Sequence, residues 1–202
     1  MKNKILDSTI NIIKKNYNYD EVKLKEIRYG LESLYLSITK IIVIFFISFF
    51  IHITKELCLL FLTYGILRLV AFGLHTKKTI HCWISSLITF SLIPYLIKEL
   101  NIDFLYILIL SIISFLLICI YAPSDTEKRP LINKKKRIIY KILSIIISLI
   151  YLIIIIFIKD FYIKKLLMFS LLLESFLIIP ISYKLFGLKY ANYKRYKERR
   201  KE

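Results

Sequence analysis

The sequence contains few of the residues that interrupt or cross-link a chain. Four glycines and four prolines occur among 202 residues, which argues against disorder or low complexity as the main state. The three cysteines, Cys58, Cys82 and Cys119, are too few and too widely spaced for a disulfide framework, and no C-x-x-C pair points to a metal. We therefore predict an ordered chain that needs neither a metal nor a cofactor.

The sequence also lacks the pattern of a cleavable signal peptide. The first long apolar run follows more than thirty residues that include seven Lys or Arg, and no small-residue cleavage site follows an early run. We therefore expect the first membrane segment to stay in the mature protein.

Apolar residues and positive charge are what the sequence has in excess. Hydrophobic residues make up 57% of the chain and the net charge is +17, a combination that is rare in soluble domains. A helix needs about 20 residues to cross the hydrocarbon core of a bilayer. The predicted fold is therefore all-α and polytopic, with the two shortest runs, the second and third, either spanning a thinned bilayer or forming a re-entrant pair. The six candidate runs are 34–53, 57–74, 82–97, 104–121, 142–158 and 166–187.

The distribution of Lys and Arg predicts the orientation. With six spans, 23 of the 31 Lys and Arg fall in regions 1–33, 75–81, 122–141 and 188–202, and five fall in the loops on the opposite side. Cytoplasmic loops carry the excess of positive charge in membrane proteins. We therefore predict a multi-pass cell-membrane protein with both termini in the cytoplasm. It would consist of amphipathic helices (1–33), a membrane domain (34–187) and a basic tail (188–202).

The first 33 residues have the pattern of two short amphipathic helices. Apolar residues recur at helical spacing from Ile5 to Ile13 and again from Val22 to Ile27, with an interruption at 16–20. Such helices lie on the inner leaflet with their lysines toward anionic lipid, or they embrace a peptide substrate. The pattern leaves both interpretations open.

Charged residues inside the apolar runs carry functional information because they are costly there. Lys40 is expected to extend its charge toward the membrane surface. Glu174, near the middle of the last run, is expected to be neutral or paired. Arg68 lies near the inner end of the second run, just before a cluster of reactive residues. We therefore place Arg68 at the candidate site.

That cluster contains Arg68, His75 and Cys82, spaced seven residues apart. On one continuous helix, seven residues rise about 10 Å, whereas proton transfer between thiol and imidazole needs about 3 Å. A working pair therefore requires a break in the helix, which Gly73 and the polar turn 76–79 supply. Cys82 would then lie in the first turn of the next helix, where the helix dipole and nearby cations favour a thiolate.

Neighbouring residues are weaker candidates for the same chemistry. His81 is a rival base, but its direction differs from that of Cys82 by about 100° on a helix. Cys58 and Cys119 have no neighbouring base and are predicted to be structural. Ser86, one turn after the candidate nucleophile, is grouped with the supporting residues.

A second polar segment at the predicted inner face reads Tyr121-Ala-Pro-Ser-Asp-Thr-Glu-Lys-Arg-Pro-Leu131. Pro123 is expected to end one helix, and the second proline to delay the next. Asp125 or Thr126 can cap a turn. Asp125 or Glu127 can instead orient the candidate histidine or bind a substrate lysine. Spacing alone favours the interpretation in which this loop simply ends the helix.

Together the two motifs resemble the accessory gene regulator protein B family (AgrB), which are bacterial quorum-sensing membrane peptidases. The match consists of Arg68…Gly73-x-His75…Cys82 followed by the segment 121–131, and length, span number and basic loops agree over the whole chain. The resemblance implies that the cysteine is the nucleophile and the histidine its base. It also implies that the arginine and the glycine are required.

The family's substrate is AgrD, a short propeptide with an amphipathic amino-terminal helix, a central signal segment and an acidic carboxyl-terminal tail. The resemblance implies that Cys82 attacks the carbonyl before the tail and that His75 protonates the leaving amine. An internal thiol or hydroxyl of the substrate then displaces the enzyme, giving a cyclic thiolactone or lactone. A homodimer is also implied, and no nucleic acid partner is expected. Two departures from the family pattern, Phe72 in place of a second glycine and Thr76 in place of alanine, concern the detail of the turn.

Basic residues flank both motifs and suit either an acidic peptide tail or anionic lipid. Two further classes of protein stay open: a transporter or channel with charged residues along a path, and a non-catalytic membrane scaffold. Arg68 would bind a substrate carboxylate or stabilise an oxyanion, and the sequence does not choose between these roles. The candidate charge contacts are Lys77, Lys78, Lys134, Lys135, Lys136 and Arg137.

Overall fold

The structure is a computed structural model that describes residues 2–17, 19–74, 79–126 and 130–194. The described residues form eight helices. The chain divides into two compact units, Met1–Ile51 and His52–Glu202, and both sequence motifs lie in the second.

The first unit contains α1 (Lys2–Asn16) and α2 (Glu21–Phe50). The side chain of Asp20 caps the start of α2, and a salt bridge of 2.7 Å joins Arg28 on α2 to Asp7 on α1. The prediction of a separate second amphipathic helix is wrong, because α2 continues without interruption into the first apolar run. No proline breaks this segment, and its Glu, Lys and Leu residues favour a helix.

Each long helix of the second unit overlaps a predicted apolar run, although the helices that start at Lys134 and Phe161 begin eight and five residues before their runs. The run predicted at 104–121 agrees with its helix at both ends. Asn133 and Asp160 cap the helices that follow them, since their side chains accept backbone N–H groups of the first turn. The helices are α3 (Thr54–Ala71), α4 (Thr79–Glu99), α5 (Phe104–Tyr121), α6 (Lys134–Phe157), α7 (Phe161–Ile178) and α8 (Pro180–Leu185).

Three helices among the described residues are long and apolar enough to cross a membrane: α2, α5 and α6. Large apolar side chains are exposed along them, such as Leu105 and Ile120 on α5 and Ile153 on α6. Exposed apolar surface of this extent indicates contact with lipid. The chain is therefore an all-α membrane protein, which confirms the predicted fold class, while the count of six spans stays a prediction.

The last predicted run, 166–187, is not one helix. α7 ends at Ile178, Ile179 is extended, and α8 starts at Pro180. Proline lacks the N–H that a continuing helix would need, and its ring clashes with the preceding turn. The prediction of a single last span across this region is therefore wrong.

Lys164 and Lys165 were expected in a loop, but they lie in the first turn of α7 and are buried. Lys165 Nζ donates to the carbonyl oxygen of Leu100 at 2.7 Å. Lys164 Nζ lies 3.8 Å from the centre of the Phe104 ring, a favourable cation–π position. Both ammonium groups therefore have partners near the amino-terminal end of α7.

The core of the second unit forms around α7, which packs against α3, α4, α5 and α6. Its buried apolar residues include Leu67, Ile107, Ile118, Ile155 and Leu171.

Buried serines accompany these apolar residues, and five on α5, α6 and α7 are fully inaccessible: Ser111, Ser114, Ser144, Ser148 and Ser170. Each hydroxyl donates to a carbonyl of its own helix, as from Ser148 Oγ to Ser144 O at 2.7 Å. Small side chains allow helices to approach closely where lipid provides no hydrophobic driving force.

Enlarging one of these small residues is expected to destabilise the bundle. Ser148→Leu adds a branched side chain at a fully buried position, and overpacking of this kind costs about 1–3 kcal/mol. Thermal unfolding in detergent should show a clear fall in Tm. Leu149→Phe is the matched control, because Leu149 is exposed on the same helix, and its Tm should not change. Equal losses for the two variants would contradict this packing.

Candidate active site

The helix break predicted before Cys82 begins directly after α3. α3 ends at Ala71, and the next two residues have positive φ angles, 61° at Phe72 and 102° at Gly73. Glycine adopts such angles without steric cost, whereas a residue with a Cβ is strained there by about 1–3 kcal/mol. Phe72 is kept in place by packing, since its ring meets that of Tyr140 edge-to-face at 4.9 Å.

Backbone hydrogen bonds hold this turn from two sides. On one side Gly73 N donates to Ser124 O at 2.8 Å, and Ser124 N donates to Ala71 O at 3.0 Å. On the other side Leu74 N donates to Leu177 O at 3.0 Å. The turn is therefore fixed between the α5–α6 loop and the end of α7.

Arg68 completes the turn from within α3. Its Nη2 donates to Leu74 O at 2.7 Å, and its Nη1 lies 3.5 Å from Glu174 Oε1 on α7. Gly73 leaves room for this guanidinium, because a Cβ at position 73 would collide with Arg68 Nη1 and lie 2.9 Å from Leu177 O. Glu174 was expected to be neutral or paired, and in the structure it is paired with Arg68.

Asp125 in the second motif ties the α5–α6 loop to the carboxyl-terminal segment. Its carboxylate accepts three backbone N–H groups: from Leu131 at 3.2 Å, Asn192 at 2.9 Å and Tyr193 at 2.8 Å. Burial raises the pKa of Asp125 above its ordinary value, and the three N–H donors act in the opposite direction. The structural interpretation of this residue is favoured, because backbone donors occupy both oxygens.

A hydroxyl relay extends the same network. Ser124 Oγ donates to Tyr183 Oη at 3.0 Å, and Tyr183 Oη donates to the carbonyl oxygen of Asp125 at 2.9 Å. Tyr183 is buried on α8. Because the helix breaks before Pro180, α8 directs this phenol toward the loop of the second motif.

A groove of about 610 Å³ lies where the turn, the α5–α6 loop and α6 meet. It brings together five of the residues singled out from the sequence: Arg68, Gly73, Asp125, Thr126 and Lys136. Phe72 and Tyr140 form an aromatic part of its wall. A groove with an apolar wall and a few cations suits an extended peptide.

Cys82 is the fourth residue of α4 and is partly exposed. Its place in the first turn agrees with the prediction, and Ser86 follows one turn later. His75, Lys77 and Lys78 lie outside the described residues, as does Glu127, and the side chain of His81 is not described.

The remaining predicted residues are divided between two places. Lys134 and Lys135 are exposed in the first turn of α6. The guanidinium carbon of Arg137 lies 3.7 Å from the centre of the Tyr193 ring. Arg137 and Pro123 line a second pocket of about 330 Å³ that shares Ser124 and Asp125 with the groove.

Some residues that form hydrogen bonds with the two motif segments could not be identified from the sequence. Tyr183, Asn192 and the carbonyl of Leu177 had no local signal, because backbone and hydroxyl partners are set by tertiary packing. Glu174 had a signal, since a carboxylate within an apolar helix requires a partner. Its pairing with Arg68 follows only when α3 and α7 are known to be neighbours.

Fold and site together define a class of protein: an all-α membrane protein with a partly buried arginine at a helix break and a cysteine at the start of the next helix. Residues 6–178 match the family described as Accessory gene regulator B. The chain belongs to this family, and its function lies in accessory gene regulation.

Individual relatives agree over most of their lengths. An AgrB-like protein of Clostridium acetobutylicum is 34% identical over 181 residues, covering 90% of this chain and 87% of the relative. The accessory gene regulator protein B of Staphylococcus aureus (strain JH9) is 36% identical over 177 residues, covering 87% and 93%. That of Staphylococcus carnosus is 32% identical over 157 residues, covering 77% and 81%. No solved structure matches the chain.

Removing the carboxylate of Asp125 should release the carboxyl-terminal segment. Asp125→Ala leaves three backbone N–H groups without their acceptor, and each unsatisfied buried donor costs about 1–3 kcal/mol. We expect a lower Tm in detergent and faster proteolysis between residues 188 and 194. Asp160→Ala is the control, because this exposed carboxylate accepts a single N–H group, and helix caps contribute about 1 kcal/mol. A smaller effect at Asp125 than at Asp160 would contradict the assignment.

Proposed function

We propose that this chain is a membrane-embedded cysteine endopeptidase that removes the carboxyl-terminal tail from an AgrD-like propeptide. The observation that carries the proposal is the position of Cys82 in the first turn of α4, directly after a helix break that starts at Phe72. A continuous helix would have kept this thiol about 10 Å from the histidine seven residues earlier. The break removes that obstacle.

The reaction follows from a thiolate at Cys82 and a protonated imidazole at His75. Sulfur attacks the scissile carbonyl, the C–N bond breaks, and His75 gives its proton to the leaving amine of the tail. The product on the enzyme is a thioester. A thiol or hydroxyl within the substrate then gives up its proton to His75 and attacks the thioester carbonyl, which releases Cys82 as a thiolate and closes a thiolactone or lactone ring.

The surroundings of Cys82 suit this chemistry. Cys82 lies in the first turn of α4, where the backbone N–H groups of a helix have no partner within the helix. A thioester also has to be protected from water, and a site among apolar helices excludes water. The groove beside the turn is the proposed path for the peptide, with Lys136 available to its acidic tail.

Arg68 has a positioning role in this proposal. Its guanidinium is engaged by Leu74 O and Glu174, which supports a structural use of its charge over binding of a substrate carboxylate or an oxyanion. Asp125 likewise supports the loop that lines the groove.

We further propose that the active site faces the cytoplasm, with six spans, cytoplasmic termini and assembly as a homodimer. Anionic lipid on the inner leaflet would contact the basic loops. The domain limits at residues 33 and 187 belong to the same proposal.

The orientation is tested by cysteine labelling of intact cells in a background where Cys58, Cys82 and Cys119 are serine. Asn101→Cys, in the loop between α4 and α5, should react with a membrane-impermeant maleimide. Lys134→Cys, at the exposed first residue of α6, should react only after the membrane is opened. The reverse pattern would overturn the predicted topology.

The nucleophile is tested by co-expression with an AgrD-like propeptide and measurement of tail release. Cys82→Ala should lower release about 10³-fold or more, because it removes the thiol that forms the acyl-enzyme in the proposed reaction. Cys58→Ala and Cys119→Ala serve as controls and should keep release near the parent level. Tail release that persists in folded Cys82→Ala would remove the catalytic claim.

A further inference from the structure

Glu174 is a fully buried charged residue that the proposed reaction does not use. It lies within α7, its side chain is 0% exposed, and Oε2 finds no hydrogen-bond partner among the described residues. A carboxylate in such surroundings is costly. Its described partner is Arg68, at 3.5 Å from Oε1.

The contact leads directly to the turn. Arg68 Nη2 donates to Leu74 O at 2.7 Å, and the residue after Leu74 is His75. Leu74 N donates to Leu177 O, which lies three residues after Glu174 on the same helix. α7 therefore holds both backbone groups of Leu74, the N–H directly and the carbonyl through Arg68.

Without Glu174, the guanidinium would lose its anionic neighbour within the bundle. A long arginine side chain then gains by extending toward the polar edge of the membrane, which would withdraw Nη2 from the Leu74 carbonyl. The turn would keep its N–H contact with Leu177 but lose the contact that fixes its direction.

We propose that Glu174 is a positioning residue for the peptidase reaction, acting through Arg68 on Leu74 and thereby on the point at which the chain enters His75. It touches neither substrate nor reacting atoms. The inference rests on the proposed function in one respect only, the role of His75 as base. The positional part, from Glu174 to Leu74, stands on the contacts alone.

The kinetic test compares three variants on tail release from an AgrD-like propeptide. Glu174→Leu removes the acceptor and should lower kcat at least about tenfold with a much smaller change in KM, because the geometry of the pair changes whereas Arg68 is the only groove-lining side chain expected to move. Glu174→Gln keeps an oxygen that accepts from Arg68 and should retain most of kcat. Should Glu174→Leu fail to fold, Glu174→Asp makes the same test, since its carboxylate is one methylene shorter.

Ser170→Ala is the matched control. It removes another side-chain contact between α3 and α7, the 2.7 Å hydrogen bond between Thr63 Oγ1 and Ser170 Oγ, away from the turn. Its kcat should stay at the parent value. A loss equal to that of Glu174→Leu would mean general loosening of the two helices and would overturn the proposal, as would a change in KM alone.

A second measurement does not depend on peptidase activity. Leu74→Cys is placed in a background where Cys58, Cys82 and Cys119 are serine, and its reaction with a small maleimide is timed. Leu74 is only 5% exposed, so labelling should be slow. Glu174→Leu should accelerate it severalfold, whereas Glu174→Gln and Ser170→Ala should not.

The two measurements separate the two claims. Faster labelling in Glu174→Leu, with a parent protein that releases no tail, would leave the positioning role standing and remove the proposed function. Unchanged labelling in folded Glu174→Leu or Glu174→Asp would overturn the positioning role, whatever the activity of the parent.

Discussion

The arrangement of the site depends on the partial burial of one positive charge, that of Arg68. A guanidinium is accommodated among apolar helices only where acceptors surround it, and Arg68 finds them in Glu174 and the Leu74 carbonyl. This requirement fixes α3 against α7 and sets the direction of the chain as it leaves α3. It also explains Gly73, since the space that a Cβ would need is occupied by the same guanidinium.

Polar groups at this end of the bundle form a network that extends well beyond the first motif. The turn forms backbone hydrogen bonds with Ser124, and the hydroxyl of Ser124 donates to that of Tyr183. The carboxylate of Asp125 accepts backbone N–H groups from its own loop and from the carboxyl-terminal segment. Each partner satisfies a group that would be expensive to bury alone. The two motifs, separated in sequence by about forty residues of α4 and α5, are thereby one structural unit.

Much of this was accessible from the sequence, and the reasons differ by residue. Hydropathy predicts both the first and the last residue of α5. A catalytic pair formed by His75 and Cys82 requires a helix break between them, and α3 does end, after Ala71. The prediction for the last span was wrong at Pro180, because the apolar pattern continues past a residue that cannot continue a helix. The amphipathic pattern after residue 20 predicts a separate helix, but nothing in its sequence ends that helix before the membrane segment. The partners of Asp125 were out of reach, since backbone N–H groups have no sequence signature.

The hold of Asp125 on Asn192 and Tyr193 has a consequence for how the protein is made. These donors come 67 and 68 residues after the carboxylate that receives them. A ribosome delivers them only after α6, α7 and α8 have emerged. Until then the loop beside the groove lacks two of its three backbone ties, so a nascent chain with every apolar helix already inserted still has an unfinished site.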